Sequence, residues 1–408
     1  MIPRGALDIE WSDLMIGLLR CWSQGDPNRT RSRIESLWSD RLDSLVCLSV
    51  RSGFDLALQI LNFPRGSEIL FSAITIPEMV DIAKKHGLIP VPIDIDPNTL
   101  EPNIQQMLKV LGPKTKAILV AHLFGSRSPL SEVVQLSQKQ GLFLIEDCAQ
   151  TYDGSDYRGH SQSDISMFSF GPIKTSTALG GALIRFKDKE VLGKARILQE
   201  TYPRQSRFRF FQRICWFSML KCLANPSFYR LFVKLTNFFG SSHEKVLTEA
   251  IRGFPGVDLL AQIRRQPSIP LLELLERRLK QDISPTISAR IAFVNQVLSV
   301  LPIKTVPGEH CHYHSHWIFP IQTPHPKKLM HYLWNRGFDA TQGASSLCIV
   351  PTPVQYPSQN PINATRMIKS ILYLPMAPKL STKAIQRLGD AVRSFFEKEN
   401  RTPPHDSV

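Results

Sequence analysis

Between residues 45 and 185 one pattern recurs: a short apolar run, then a stretch with helical spacing. The runs are Val46–Val50, Ile69–Phe71, Val91–Ile93, Ala117–Ala121, Leu142–Ile145, Ile165–Phe170 and Ala182–Ile184. Helical patterns lie between the early ones, for example at Asp55–Leu61 and Pro129–Gly141. A strand that is apolar at consecutive positions has both faces buried, and the intervening helices supply the cover. Such strands read as a mostly parallel α/β sheet. Helical spacing continues from about 246 to 300. A second unit begins near Val306, with a strand at Trp317–Ile321, a helix at Lys327–Asn335, a strand at Ile371–Leu374 and an amphipathic helix at 381–398. The expected division is a large sheet domain over 1–300, carrying a helical insert at 201–243, and a small α+β domain over 301–408. At 408 residues the chain is long enough for both.

Charge and cysteine content narrow the function classes. Lys and Arg exceed Asp and Glu by 49 − 35 = 14, which suits an anionic substrate, a membrane surface or a nucleic acid. No uncharged apolar run approaches the length of a membrane span, and the opening MIPRGALDIEWSD has acids where a signal peptide needs apolar residues. Seven scattered cysteines without a Cys-x-x-Cys pair predict free thiols in a reducing, cytoplasmic setting.

Two segments carry chemistry. Leu142–Gln150, LFLIEDCAQ, is a buried strand that ends in two acids, and the carboxyl ends of parallel strands are where α/β proteins place ligands. Further on, the run Ile165–Phe170 opens into Gly171-Pro172-Ile173-Lys174. A lysine just past a buried strand can sit in a dry pocket where its pKa falls, which suits an amine that must form a Schiff base. Taken singly, the acids read as a solvated strand end and the lysine as a surface turn; their combination points to a site.

EDCAQ, SFGPIK and the turn Gly180-Gly181 together resemble the pyridoxal-phosphate signature of the nucleotide-sugar aminotransferases, the DegT/DnrJ/StrS group. Further similarities follow in the family's order: Arg51-Ser52-Gly53 before a helix, Glu68–Ser72 with Thr75, Ile93–Asp96, Thr115–Ile118, His122–Gly125, His316-Trp317-Ile318 and Leu374-Pro375-Met376. The resemblance is close over about 40–200 and looser over 260–400. It implies the fold type I architecture of pyridoxal-phosphate-dependent transferases, a bound pyridoxal 5'-phosphate and a homodimer. Lys174 would be the Schiff-base lysine and Asp147 the partner of the pyridine nitrogen. Gln150 would meet the ring's hydroxyl side, and Ser169 the phosphate. Ser52, Gly53 and the backbone amide after it would cradle the phosphate at a helix N-terminus. The implied reaction transfers an amino group from an amino acid such as glutamate to a keto-sugar nucleotide. Two alternatives are a membrane-presented or lipid-linked acceptor, and a cofactor-poor relative acting as a binding or scaffold subunit.

Four positions depart from the family's pattern. Phe54, followed by Asp55, stands where a small polar phosphate ligand is usual, so a threonine there is expected to tighten cofactor binding. Ile76 replaces an aromatic that stacks on the cofactor; it would still pack on a ring face but without the π contact. Leu179 replaces an acid. Arg264-Arg265-Gln266 poorly matches the stretch that contacts cofactor across the dimer.

Two features lie outside the resemblance. On a strand, His310, His312, His314 and His316 would share one face, a possible metal site, with an ordinary strand or loop the commoner reading. The insert carries seven basic residues and no acid over 201–243, and ten of the chain's 36 aromatics over 205–240. Helical spacing over Phe228–Phe239 sets Arg230, Lys234 and Asn237 on one face, with Leu231, Phe232, Leu235, Phe238 and Phe239 opposite. A basic face beside an aromatic one predicts peripheral membrane contact, against a hairpin packed on its own domain or on a dimer partner. Bulky phenylalanines among aliphatic residues argue against nucleic acid.

Overall fold

The computed structural model describes residues 1–238, 243–250, 258–302, 306–343 and 346–401. Phe239 and the side chain of Asn237 lie outside the described residues. The strands of the first half are β1 (Ser44–Cys47), β2 (Glu68–Ser72), β3 (Ile74–Thr75), β4 (Ile89–Ile93), β5 (Thr115–Ala121), β6 (Ser126–Arg127), β7 (Phe143–Asp147), β8 (Ile165–Ser169) and β9 (Ala182–Phe186). All but the short β3 and β6 form one sheet in the order β1-β9-β8-β7-β5-β2-β4. From β8 to the edge strand β4 the sheet is parallel, and β9 pairs antiparallel with β8 and β1. Each of the seven apolar runs overlaps one of these strands, although Val46–Val50 leaves β1 after Cys47 and its last residue opens a helix. The mostly parallel α/β architecture expected above is the observed one.

Both faces of the sheet are covered, which is why the strands are apolar at successive positions. Along β5, Ala117 and Leu119 enter one core layer while Ile118 and Val120 enter the other. Helices α1 (Trp11–Arg20) and α2 (Pro27–Trp38) precede the sheet. Helices α3 (Val50–Leu61), α4 (Pro77–Lys85), α5 (Ile104–Val110), α6 (Ser131–Gln140) and α7 (Lys189–Glu200) alternate with or follow its strands. Local chemistry sets their ends. Asp26 caps α2 by accepting from the Asn28 and Arg29 amides, with Pro27 in the first turn. Gly141 ends α6 in the left-handed conformation that a Cβ disfavours.

The insert contains α8 (Arg207–Cys222) and α9 (Pro226–Phe238), and is followed by α10 (His243–Ala250), α11 (Leu259–Ile263), α12 (Ile269–Leu279) and α13 (Ser284–Val300). The C-terminal elements are β10 (Tyr313–His314), β11 (Phe319–Gln322), α14 (Pro326–Asn335), β12 (Cys348–Ile349), α15 (Ile362–Ser370), β13 (Ile371–Leu374) and α16 (Thr382–Arg401). β11 pairs antiparallel with β13. Their core takes in Phe293, Val294 and Val297 of α13, and Ile2 packs against it. Among the described residues, no helix is long and apolar enough to cross a membrane.

Candidate active site

β7 and β8 are parallel neighbours, so their carboxyl ends open on the same edge of the sheet. β7 ends with Glu146 and Asp147, both buried. Successive residues of a strand face opposite ways, and these two acids have different surroundings. Glu146 faces a saturated network. It accepts from His122 Nε2 at 3.1 Å, Tyr157 hydroxyl at 2.8 Å, Ser166 hydroxyl at 3.2 Å and the His160 amide at 2.7 Å. Burial opposes its charge, but the His122 and Tyr157 bonds outweigh burial and hold its carboxyl down at about 2. His122 Nδ1 in turn accepts from the Ser128 amide. Cys148 approaches the same carboxylate, so His122, Glu146 and Cys148 converge as metal ligands would. Both imidazole nitrogens and both carboxylate oxygens already have partners, and the trio is a structural brace.

The Asp147 carboxylate accepts from the Ala149 amide at 3.0 Å. Burial raises its pKa, against the backbone bond and the charge of Lys174. β8 ends at Ser169, whose hydroxyl accepts from the Gly171 amide at 3.3 Å, and the chain turns into Lys174. The Lys174 amine rests 3.8 Å from the centre of the Trp317 ring, and Trp317 donates its indole N–H to the Ile173 carbonyl at 2.8 Å. Burial brings the lysine pKa down to about 7, with Arg51 adding to the effect and Asp147 opposing it.

The loop after Lys174 is held from several sides. Asp8 accepts from the Ser176 amide at 3.0 Å and from Arg290 at 2.9 Å, and Arg290 also donates to the Thr175 hydroxyl at 2.9 Å. Ser176 and Leu179 both have positive φ, a conformation that L residues adopt only when their surroundings impose it. Leu179 is fully buried, and its carbonyl accepts from Arg213 of α8. The insert therefore reaches this loop at the position where an acid was expected.

The phosphate turn differs from expectation. Ser49 caps α3 by accepting from the Ser52 amide at 3.1 Å, and the two hydroxyls are 2.9 Å apart. The Gly53 amide is already bonded to the Ser49 carbonyl at 3.0 Å, because it is the fourth residue of the helix. The Gly53 amide is therefore not open to an anion, the Ser52 amide is held by Ser49, and the Arg51 guanidinium pairs with Glu78 at 3.3 Å at the same helix start. A Cβ on Gly53 would stand 2.4 Å from Ile184, so this glycine serves the packing of α3 on β9. Phe54 points into the core, fully buried and edge-on to Phe71 at 6.4 Å. It is no phosphate ligand. Asp55 is neutralised by Arg264, through bonds of 2.9 and 3.0 Å, and by His86 at 2.9 Å. Arg264 thus bonds within its own chain. Ile76 caps α4, half-buried against the same core. Gln150 accepts from the Phe124 amide at 2.7 Å, which leaves its NH2 as the group to meet a ring hydroxyl.

The four histidines do not converge. His310 and His312 are exposed, the strand is only Tyr313–His314, and His316 has φ 48°. His314 and His316 stack at 4.1 Å. Sequence reasoning missed Arg51 and Trp317 as site residues, although both lie in motifs quoted for the resemblance.

An amine in a dry pocket, a buried carboxylate beside it, and hydroxyls with a cation at a helix N-terminus fit an anionic phosphate ester of a pyridine aldehyde. Residues 30–217 match the profile of the DegT/DnrJ/EryC1/StrS aminotransferase family. Over those residues the chain is similar to this family. A GDP-perosamine synthase of Escherichia coli O157:H7 is 34% identical over 137 residues, 33% of this chain and 37% of that protein. A UDP-N-acetyl-3-dehydro-alpha-D-glucosamine 3-aminotransferase of Acidithiobacillus ferrooxidans is 33% identical over 157 residues, 38% of this chain and 42% of that protein. The aligned stretch thus spans about two fifths of these curated relatives. An aminotransferase of Streptoalloteichus hindustanus superposes with a TM-score of 0.69 at 18% identity, covering 98% of this chain and 100% of that one. That likeness shows the fold.

Proposed function

We propose that this protein is a member of the DegT/DnrJ/EryC1/StrS family and a pyridoxal-phosphate-dependent aminotransferase that moves an amino group from an amino acid such as glutamate to a keto-sugar carried on a nucleotide. The observation that carries the reading is the Lys174 amine, buried on the Trp317 ring and electrostatically coupled to Asp147 at the carboxyl edge of the sheet. The names of the two curated relatives support a nucleotide-sugar acceptor. When bound, pyridoxal phosphate supplies an electron-accepting ring. With its pKa near 7, Lys174 can take up a proton at Nζ and return it. Asp147 would hold a proton on the ring nitrogen and Gln150 would meet the ring hydroxyl, while Trp317 lies against the Lys174 amine and shields Nζ from water. Ser169, Ser52 and the first turn of α3 would bind the phosphate, with Arg51 adding charge. The reading includes a cytoplasmic homodimer, the division into a large domain over 1–300 and a small one over 301–408, and peripheral membrane contact through 205–240.

Borohydride reduction of the cofactor-loaded protein, followed by peptide mass mapping, tests the reading. The label is expected on Lys174, and Lys174→Ala loses both the label and the visible absorption band. Asp147→Asn keeps the label while its half-reaction with glutamate slows about a hundredfold or more. Label on a different lysine, or near-normal turnover in Asp147→Asn, would overturn the assignment.

A further inference from the structure

The outward side of α1 is apolar. Trp11, Met15, Leu19 and, just past the helix, Trp22 recur at the spacing of one helix face, each between 48% and 69% exposed. The inward side, with Leu14 and Gly17, is buried against α8 and α12. A helix that is apolar on both sides belongs in an interior, so the outer side calls for cover.

This side continues onto the insert. α8 runs antiparallel beside α1: Trp22 meets Phe211 edge-on at 5.2 Å near one end, and the Lys221 amine stands 5.8 Å from the centre of the Trp11 ring at the other. α8 exposes Phe208, Trp216 and Met219. After a three-residue turn, α9 exposes Phe228, Leu231, Leu235 and Phe238, again one helix face. The helix packs inward through Tyr229, with Phe232 and Val233 half-buried, so most of the apolar side expected from its sequence points outward.

Charge decides what covers this surface. Arg209, Arg230 and Lys234 are exposed on α8 and α9, and residues 201–243 include no acid. Apart from Glu10 at the cap of α1, the acids packed beside α1 are already in ion pairs: Asp13 with Arg277 and Arg278, Glu273 with Arg20, and Glu276 with Arg33 and Lys280. In a two-fold contact between copies a patch meets itself, which would bring these cations together. An anionic lipid surface matches both the exposed aromatics and the charge. We infer that α1, α8 and α9 form one face that docks on anionic lipid. The inference rests on the membrane contact proposed for 205–240 and extends it to the N-terminal helix.

Vesicle co-sedimentation of the full-length protein tests it, using phosphatidylcholine vesicles with and without phosphatidylglycerol. The protein is expected to sediment with the anionic vesicles at low salt, to be released at high salt, and to ignore phosphatidylcholine alone. Leu19→Ser with Trp22→Ser weakens anionic binding at least about tenfold. Arg230→Ala with Lys234→Ala weakens it about 30-fold, since each cation near such a surface contributes about fivefold. Both variants keep the parent's unfolding temperature and its glutamate half-reaction. A parent that stays in the supernatant with anionic vesicles at low salt overturns the inference and the insert contact together, while transamination stands or falls separately. An α1 variant that binds as tightly as the parent overturns the inference and leaves the insert contact. An α1 variant that loses the dimer in light scattering and keeps its vesicle binding overturns it in favour of a second copy as the cover.

Discussion

Lys174 and Asp147 are buried close enough to feel each other's charge, yet both are driven towards their neutral forms. Burial is the larger influence on each and outweighs their mutual attraction; on the lysine, Arg51 pushes the same way. With the amine at about 7, it is a protonated, inert ammonium below that pH and a free nucleophile above it. Capture of pyridoxal phosphate by the cofactor-free protein, followed by growth of the visible band, is therefore expected to accelerate through pH 7 and level off by about pH 8. A rate that kept rising beyond pH 10 would mark a solvated lysine. Arg51→Met, by removing an opposing charge, should move the midpoint upward. Lys174 and Asp147 were legible because each ends or follows a continuous apolar strand. Trp317 was not, because it reaches the amine from another unit of the fold, and no local pattern records that approach.

α3 shows how an element decides what a motif can do. Its cap at Ser49 fixes the helix start, which places Gly53 and Phe54 beyond the turn that faces an anion. Phe54 then fills the core beside Phe71. Phe54→Thr is therefore expected to destabilise the protein by about 3 kcal/mol, through the cavity and a buried hydroxyl, and to leave pyridoxal phosphate affinity unimproved. Urea unfolding of the cofactor-free protein and a spectroscopic cofactor titration check the two halves; tighter cofactor binding would restore Phe54 to the phosphate turn. The seven sheet strands were readable because burial on both faces leaves few polar positions, such as Ser166 and Arg185, to blur the run. Helix α1 escaped notice for the opposite reason. Its apolar residues occupy both sides, so no contrast between faces marks it as a surface helix. The insert's helices were visible, but their orientation was not, because Tyr229 and not the larger apolar side points inward.

At the scale of the whole molecule, one buried carboxylate joins segments far apart in the chain. Asp339 accepts from Arg4 at 2.6 and 3.1 Å, from the Tyr229 hydroxyl of α9 and from His243 of α10 at 3.2 Å. The N-terminus, the insert and the C-terminal unit thus meet at a single acceptor. Nothing in the sequence could announce this, since pairings over such separations have no local spacing. Burial raises the Asp339 pKa, but its three donors outweigh burial and lower it below the ordinary aspartate value. Its contribution to stability is therefore present above about pH 4 and is lost as pH falls further through the folded-state pKa. Asp339→Ala leaves Arg4 and Tyr229 without their acceptor, at a cost of about 3 kcal/mol. The expected result is a lower unfolding temperature at pH 7, a difference from the parent that shrinks as the pH is taken below 4, and faster proteolytic cleavage within 201–243 than elsewhere. Replacing both partners, Arg4→Met with Asp339→Leu, should recover part of the loss, because the penalty lies in the stranded charge more than in the missing pair. Parent-like melting and an unchanged cleavage pattern in Asp339→Ala would show that the insert is held in place by its apolar contacts alone.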